Sequence, residues 1–272
     1  MCDEDTVIES NSYLAQGTKM GRRDFNKLAV GAAAILMLPP VANALEVVGH
    51  DVMVNTPDGD ADCYFVHPAK GKHPGVIIWP DILGLRPAFR LMGERLAKSG
   101  YAVLVVNPYY RSARSPVIEP GASFQDAKTR NRVMPYYRAL SAETNVTDAK
   151  AYVAYLDAQN AVDVKRKIGT TGYCMGGPMV MRTAAALPER IGAGGSFHGS
   201  GLVTNDAESP HLLIKNMQAD LLIAVAANDD ERAPNDKEVL RKTAAKYGLK
   251  AEIEVYEGAM HGWCPPDSRV YH

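Results

Sequence analysis

The chain is poor in the features that announce a cofactor, a metal or a disulfide scaffold. It has only four cysteines, Cys2, Cys63, Cys174 and Cys264, irregularly spaced and without a C-x-x-C pair. That argues against a zinc site and against a disulfide framework. There is no Gly-rich phosphate loop, no haem or flavin motif and no cluster of metal-ligand residues, so neither cofactor nor metal is expected. The net charge is only −1, which gives no reason to expect nucleic acid or an anionic membrane surface as a partner. Internal repeats and low-complexity blocks are absent. What the chain does have is apolar material: 46% of its 272 residues are hydrophobic, enough for the core of one large domain.

The N-terminal region reads as a targeting segment. Gly21-Arg22-Arg23-Asp24-Phe25-Asn26-Lys27 precedes an Ala-rich apolar run, Leu28 to Leu38, closed by Pro39-Pro40-Val41-Ala42-Asn43-Ala44. Paired arginines, Phe25, Lys27 and an A-x-A ending form a twin-arginine export signal. The apolar run is shorter than the roughly 20 residues that span a bilayer, so cleavage is expected rather than a stable membrane anchor. The expected division is therefore 1–44 as signal region and 45–272 as the folded domain. The mature protein would be periplasmic or secreted, with the twin-arginine export machinery as a transient partner. In that oxidising compartment Cys174 would need to remain a free thiol.

From Glu46 onward the pattern alternates β and α. Val48 to Val54 and Ala61 to Val66 read as a hairpin turned by Pro57-Asp58-Gly59-Asp60. Gly75 to Trp79 and Tyr101 to Val106 are continuous apolar strands separated by an amphipathic helix, Arg86 to Ser99. Pro108 to Pro135, rich in Arg, Pro and Tyr, reads as an excursion over the sheet edge. Asn145 to Gln159 has helical spacing. Ile191 to Phe197, Asp220 to Ala227 and Ala251 to Tyr256 read as later strands, with a helix over Asn235 to Tyr247. The expected fold is α/β, a mostly parallel sheet with helices on both faces. Ligands in such sheets sit at the carboxyl ends of the strands.

One stretch organises the rest. Lys167 to Thr171 is strand-like, Gly172-Tyr173-Cys174-Met175-Gly176-Gly177 follows, and Pro178 to Leu187 is helix-like. Strand, sharp turn and helix with glycines two before and two after a central nucleophile describe the nucleophile elbow of α/β-hydrolases. The nucleophile here is Cys174, a thiol that needs a partner to ionise it. Asn228-Asp229-Asp230 follows one later strand and Gly258-Ala259-Met260-His261-Gly262-Trp263 follows the last. Nucleophile, acid and histidine thus occur in the order of the hydrolase triad, with His261 as base and Asp229, or as the alternative Asp230, as the acid orienting it. The oxyanion donors are expected to be the backbone N–H groups of Met175 and of Ile82, in the loop after the Gly75–Trp79 strand.

From about Gly49 to Trp263 the chain resembles the dienelactone hydrolase family of α/β-hydrolases. The resemblance is carried by G-Y-C-M-G-G at Gly172–Gly177, P-D-I-L-G with Asp81, A-N-D with Asp229 and H-G-W with His261. It implies that Asp81 stands where the family has an acidic residue touching the thiol. It also implies a small ester or lactone as substrate and a thioester acyl-enzyme as intermediate, in a monomer or homodimer. Tyr110, Arg111 and Trp263 are the candidate substrate-binding residues; the Arg that follows the histidine in the archetypal member is absent. Only eleven residues follow His261, so the final helix of the family is expected to be missing. Two further readings stay open: a thiol redox or sensor protein, with Cys264 approaching Cys174, and a non-catalytic binding protein on the same fold.

Overall fold

The chain enters the described part of the fold, residues 40–272 of a computed structural model, through a long hairpin. The export segment read from the sequence falls almost wholly outside these described residues. β1 (Val47–Thr56) and β2 (Gly59–Pro68) pair antiparallel from Val47↔Pro68 to Thr56↔Gly59. Thr56 closes the turn: its hydroxyl donates to the Gly59 carbonyl at 2.8 Å and accepts the Asp58 N–H at 3.1 Å.

β3 (Gly75–Trp79), α1 (Pro87–Lys98) and β4 (Ala102–Val106) follow. Every residue of β3 and β4 is buried, as continuous Val/Ile runs require of strands covered on both faces. Next come α2 (Ala127–Arg138), α3 (Ala142–Asp157), β5 (Ile168–Tyr173), α4 (Gly176–Ala186), β6 (Ile191–Phe197) and β7 (Asp220–Ala226). A short α5 (Ala227–Arg232), then α6 (Asp236–Tyr247) and β8 (Ala251–Tyr256), complete the order. The eight strands lie in the order β1-β2-β4-β3-β5-β6-β7-β8. β2 joins β4 antiparallel, and all pairs from β4 to β8 are parallel. The expected α/β-hydrolase architecture is present.

α1 covers one face, burying Phe89 and Ala97 against Val66, Val76, Ile78, Val103 and Val105. Gly93 lets the helix lie close; a β-carbon there would come within 2.8 Å of Val105. α3 and α4 cover the other face. Tyr152 from α3 packs on Trp79 with ring centroids 5.6 Å apart, and the Trp79 indole N–H donates to Thr170 on β5. α3 starts earlier than the apolar spacing suggests, because Ser141 and Thr144 form a reciprocal capping box. The Arg- and Pro-rich excursion also contains a helix that the sequence reading missed: α2 runs through Pro135, near its C-terminal end. After β8, no helix occurs among the described residues. Residues 257–272 form turns that fold back across the strand ends, with His272 N–H bonded to the Trp263 carbonyl at 3.1 Å.

The sheet's centre, where β5 lies between β3 and β6, admits no bulk at the turn. A β-carbon on Gly176 would overlap the Trp79 carbonyl and come within 3.0 Å of that of Pro80. A Gly176→Ala chain is expected to lose about 1–3 kcal/mol in urea unfolding, because rigid backbone must move. At Gly169 a β-carbon would make only an ordinary 3.4 Å contact with Val76. Gly169→Ala is expected to change stability by less than about 1 kcal/mol.

Candidate active site

Cys174 follows β5 directly and has φ +54°, in the left-handed region that side chains other than glycine seldom occupy. Its N–H is shared between the Phe197 carbonyl and His198 Nδ1, each at 3.1 Å. Its own carbonyl accepts the Gly177 N–H at 3.0 Å, turning the chain into α4. The result is a buried residue at the sheet's carboxyl edge, held from both sides by backbone.

His261 arrives from the turn after β8. Its N–H donates to Asn228 Oδ1 at 2.8 Å, and its Nδ1 bonds Asp229 Oδ2 at 2.7 Å. Asn228 and Asp229 lie in α5, and the Ala227 N–H to the Ala259 carbonyl ties the two turns together at 2.9 Å. The imidazole also hydrogen-bonds the Cys174 side chain. With Nδ1 committed to Asp229, Nε2 is the nitrogen left for the sulfur. Asp230, one residue on, points elsewhere and takes the Lys237 ammonium at 2.7 Å.

Burial by itself would lower the His261 pKa. The Asp229 carboxylate, the Cys174 sulfur and the hydrogen bonds to both outweigh it, and the value rises to about 10. The ring is therefore an imidazolium at neutral pH, and a cation beside the sulfur favours the thiolate.

Ile82 and Met175, the expected oxyanion donors, are both buried and lie on loops in backbone contact through Gly176. Tyr109, absent from the sequence reading, joins the same two residues: its hydroxyl donates to the Ile82 carbonyl at 2.9 Å and touches Met175 Sδ at 3.1 Å. Cys174, His198, His261, Ile82 and Asp81 border one cavity of about 110 Å³. Its outer wall comes from Gly121 to Gln125 and from Asp267 to Val270.

Four expected residues do other work. Asp81 borders the cavity, but its carboxylate is gripped bidentately by Arg86, at 2.6 and 2.9 Å, instead of standing free for the thiol. Arg86, itself buried, holds Asp267 through its other edge at 2.7 and 2.9 Å. Tyr110 and Arg111 are not cavity residues: both bond the buried Asp148 carboxylate, and Arg111 also takes Asp58. Trp263 lies behind the site, stacked on Tyr256 and edge-on to His198. Cys264 packs against the cluster of Ala224, Ala226, Ala259 and Trp263, is a free thiol, and burial pushes its pKa up to about 12. Arg269, further along the chain than the Arg of the archetypal member, enters the cavity wall and reaches Gln125 at 3.0 Å, while His198 was not among the expected residues. His198 had a legible signal: like Cys174, it is a reactive residue type immediately after a parallel strand.

The family model described as the dienelactone hydrolase family matches residues 61–272. A protein of Synechocystis sp. named "Putative carboxymethylenebutenolidase" is 30% identical over 205 residues, covering 74% of this chain and 80% of its own. The carboxymethylenebutenolidase of Pseudomonas putida is 30% identical over 118 residues, 43% of this chain and 48% of its own. A solved structure from Klebsiella pneumoniae, described as a "Putative Dienelactone Hydrolase", superposes with a TM-score of 0.70 at 20% identity. It covers 83% of this chain and 92% of that one.

Asp229 holds His261 in its charged form, and a raised histidine pKa stabilises the fold below the unfolded value, about 6.5, losing that support as pH climbs through about 10. The melting temperature is therefore expected to fall across that window. In Asp229→Asn the fall should shrink, whereas Asp230→Asn should keep it; thermal melts at stepped pH decide.

Proposed function

The chain belongs to the dienelactone hydrolase family, and on that premise we propose that it hydrolyses a small ester or lactone through a triad of Cys174, His261 and Asp229. The observation that carries the reading is His261, which bonds the Asp229 carboxylate on one side and the Cys174 sulfur on the other, at the edge of a small cavity. In the bound complex the Cys174 sulfur attacks the acyl carbon. Negative charge moves to the carbonyl oxygen, which the Met175 and Ile82 N–H groups are expected to receive. His261 gives its Nε2 proton to the departing alkoxide as the C–O bond breaks, leaving a thioester on Cys174. Water then attacks the thioester while His261 accepts its proton. Collapse of the second tetrahedral intermediate expels the Cys174 thiolate and the acid, and His261 keeps the proton for the next cycle. Asp229 fixes the ring and balances its charge throughout.

Asp81 is assigned a different task from the one the resemblance implied. Bound to Arg86, and accepting the Leu83 N–H at 2.9 Å, it shapes the loop that presents Ile82. The cavity of about 110 Å³ favours a compact acyl group. Folded residues from about Leu45 onward would act outside the cytoplasm, with Arg22 and Arg23 read by the twin-arginine export machinery.

Two outcomes are expected. The wild-type chain should turn over a short-chain nitrophenyl ester, and Cys174→Ala should fall to background while melting normally; quenched wild-type reactions should show a Cys174 acyl adduct by mass spectrometry. In a bacterial host carrying that pathway, replacing Arg22 and Arg23 together by Lys should hold the protein in the cytoplasmic fraction.

A further inference from the structure

His198 takes no part in the proton transfers above, yet it touches both reacting residues. It follows β6 with φ +40° and is anchored by its own N–H to the Ala224 carbonyl on β7 at 2.8 Å. The side chain is completely buried and borders the cavity beside Cys174 and His261. Nδ1 accepts the Cys174 amide at 3.1 Å. An amide N–H can be received only by a bare ring nitrogen, so the neutral ring carries its proton on Nε2. Nε2 is buried and has no hydrogen-bond partner among the described residues. The ring meets His261 at 5.1 Å and Trp263 at 5.0 Å between centroids, both edge-on.

These features work against stability. A side chain in the left-handed region is strained, and an unpaired buried N–H forfeits its hydration. Phenylalanine would seat a ring here without the lone N–H, so packing alone does not require histidine. The titratable groups facing the ring are Cys174 and Tyr173 from the end of β5 and His261 from the turn after β8. Burial first, and then the positive His261, oppose a second proton on His198. It stays neutral while its neighbour is charged.

We propose that His198 is a positioning residue for the reacting pair: Nδ1 fixes the amide of Cys174, and the ring is the wall against which His261 is set toward the sulfur. The inference rests on the hydrolase reading given above.

Two variants of the full chain separate the parts. His198→Phe keeps a ring and removes the acceptor. His198→Asn places an oxygen where Nδ1 stands and tolerates positive φ. With the nitrophenyl ester, His198→Phe should lower kcat about tenfold or more and leave KM within about twofold. Its melting temperature should be unchanged or higher, since the unpaired N–H is gone. His198→Asn should regain at least about threefold of the lost kcat. Alkylation of Cys174 by iodoacetamide should slow in the Phe variant and partly recover in the Asn variant, a readout that needs no turnover. Unchanged kcat and alkylation in His198→Phe, an Asn variant no better than Phe, or losses that simply follow a lowered melting temperature would each overturn the proposal. If the wild type turns over no ester, the hydrolase reading fails, and the alkylation series still decides the role of His198.

Discussion

The close approach of two backbones, at Gly176 and at the Trp79–Pro80 junction, is the constraint on which the site depends. It brings the first turn of α4 against the end of β3, and so sets Met175 beside Ile82. The alignment follows from the parallel pairing of β3 with β5, whose last pair is Trp79↔Gly172, and from the absence of a β-carbon at Gly176. Tyr109 then locks the two loops together from beneath. Because a preorganised donor pair is useful only when it does not have to be rearranged at the moment of reaction, rigid backbone contact is the appropriate foundation.

Buried charge around the cavity falls into two systems with different purposes. Asp229 is matched to a histidine that, in the proposed reaction, must gain and lose a proton, and its carboxylate raises that ring's pKa. Asp81 is matched to Arg86, a guanidinium that never titrates in the working range. The first pair can change its charge during chemistry, while the second is permanent and acts as scaffold. Arg86 is buried and shared by two carboxylates, so removing Asp81, the more buried of them, would cost far more than the net value of the pair.

The parts of this architecture that were legible in the sequence are those governed by short-range rules. The strand–turn–helix around Cys174 could be read because its glycines answer to contacts within a few residues, Gly172 against Gly176 being one. The order of strands bearing Cys174, Asp229 and His261 was readable for the same reason. The choice between Asp229 and Asp230 was not, since adjacent positions in α5 differ only in direction, toward His261 or toward Lys237. Tyr110 and Arg111 looked like substrate-binding residues because their carboxylate, Asp148, lies in a helix 37 or more positions along the chain. α2 escaped because its Arg- and Pro-rich sequence has little apolar periodicity; only Thr129 and Val133 are buried.

The salt bridge from Arg86 to Asp267 joins residues 181 positions apart. Closing so long a loop costs chain entropy that local contacts cannot offset, so this bridge can form only once the intervening sheet is in place. The outer wall of the cavity, Asp267 to Val270, is consequently among the last parts to settle. One side chain, Arg86, therefore ties the cover over Cys174 to the loop after β3. Loss of that single tie would be expected to open the thiol to oxidants and stray electrophiles while leaving the core intact.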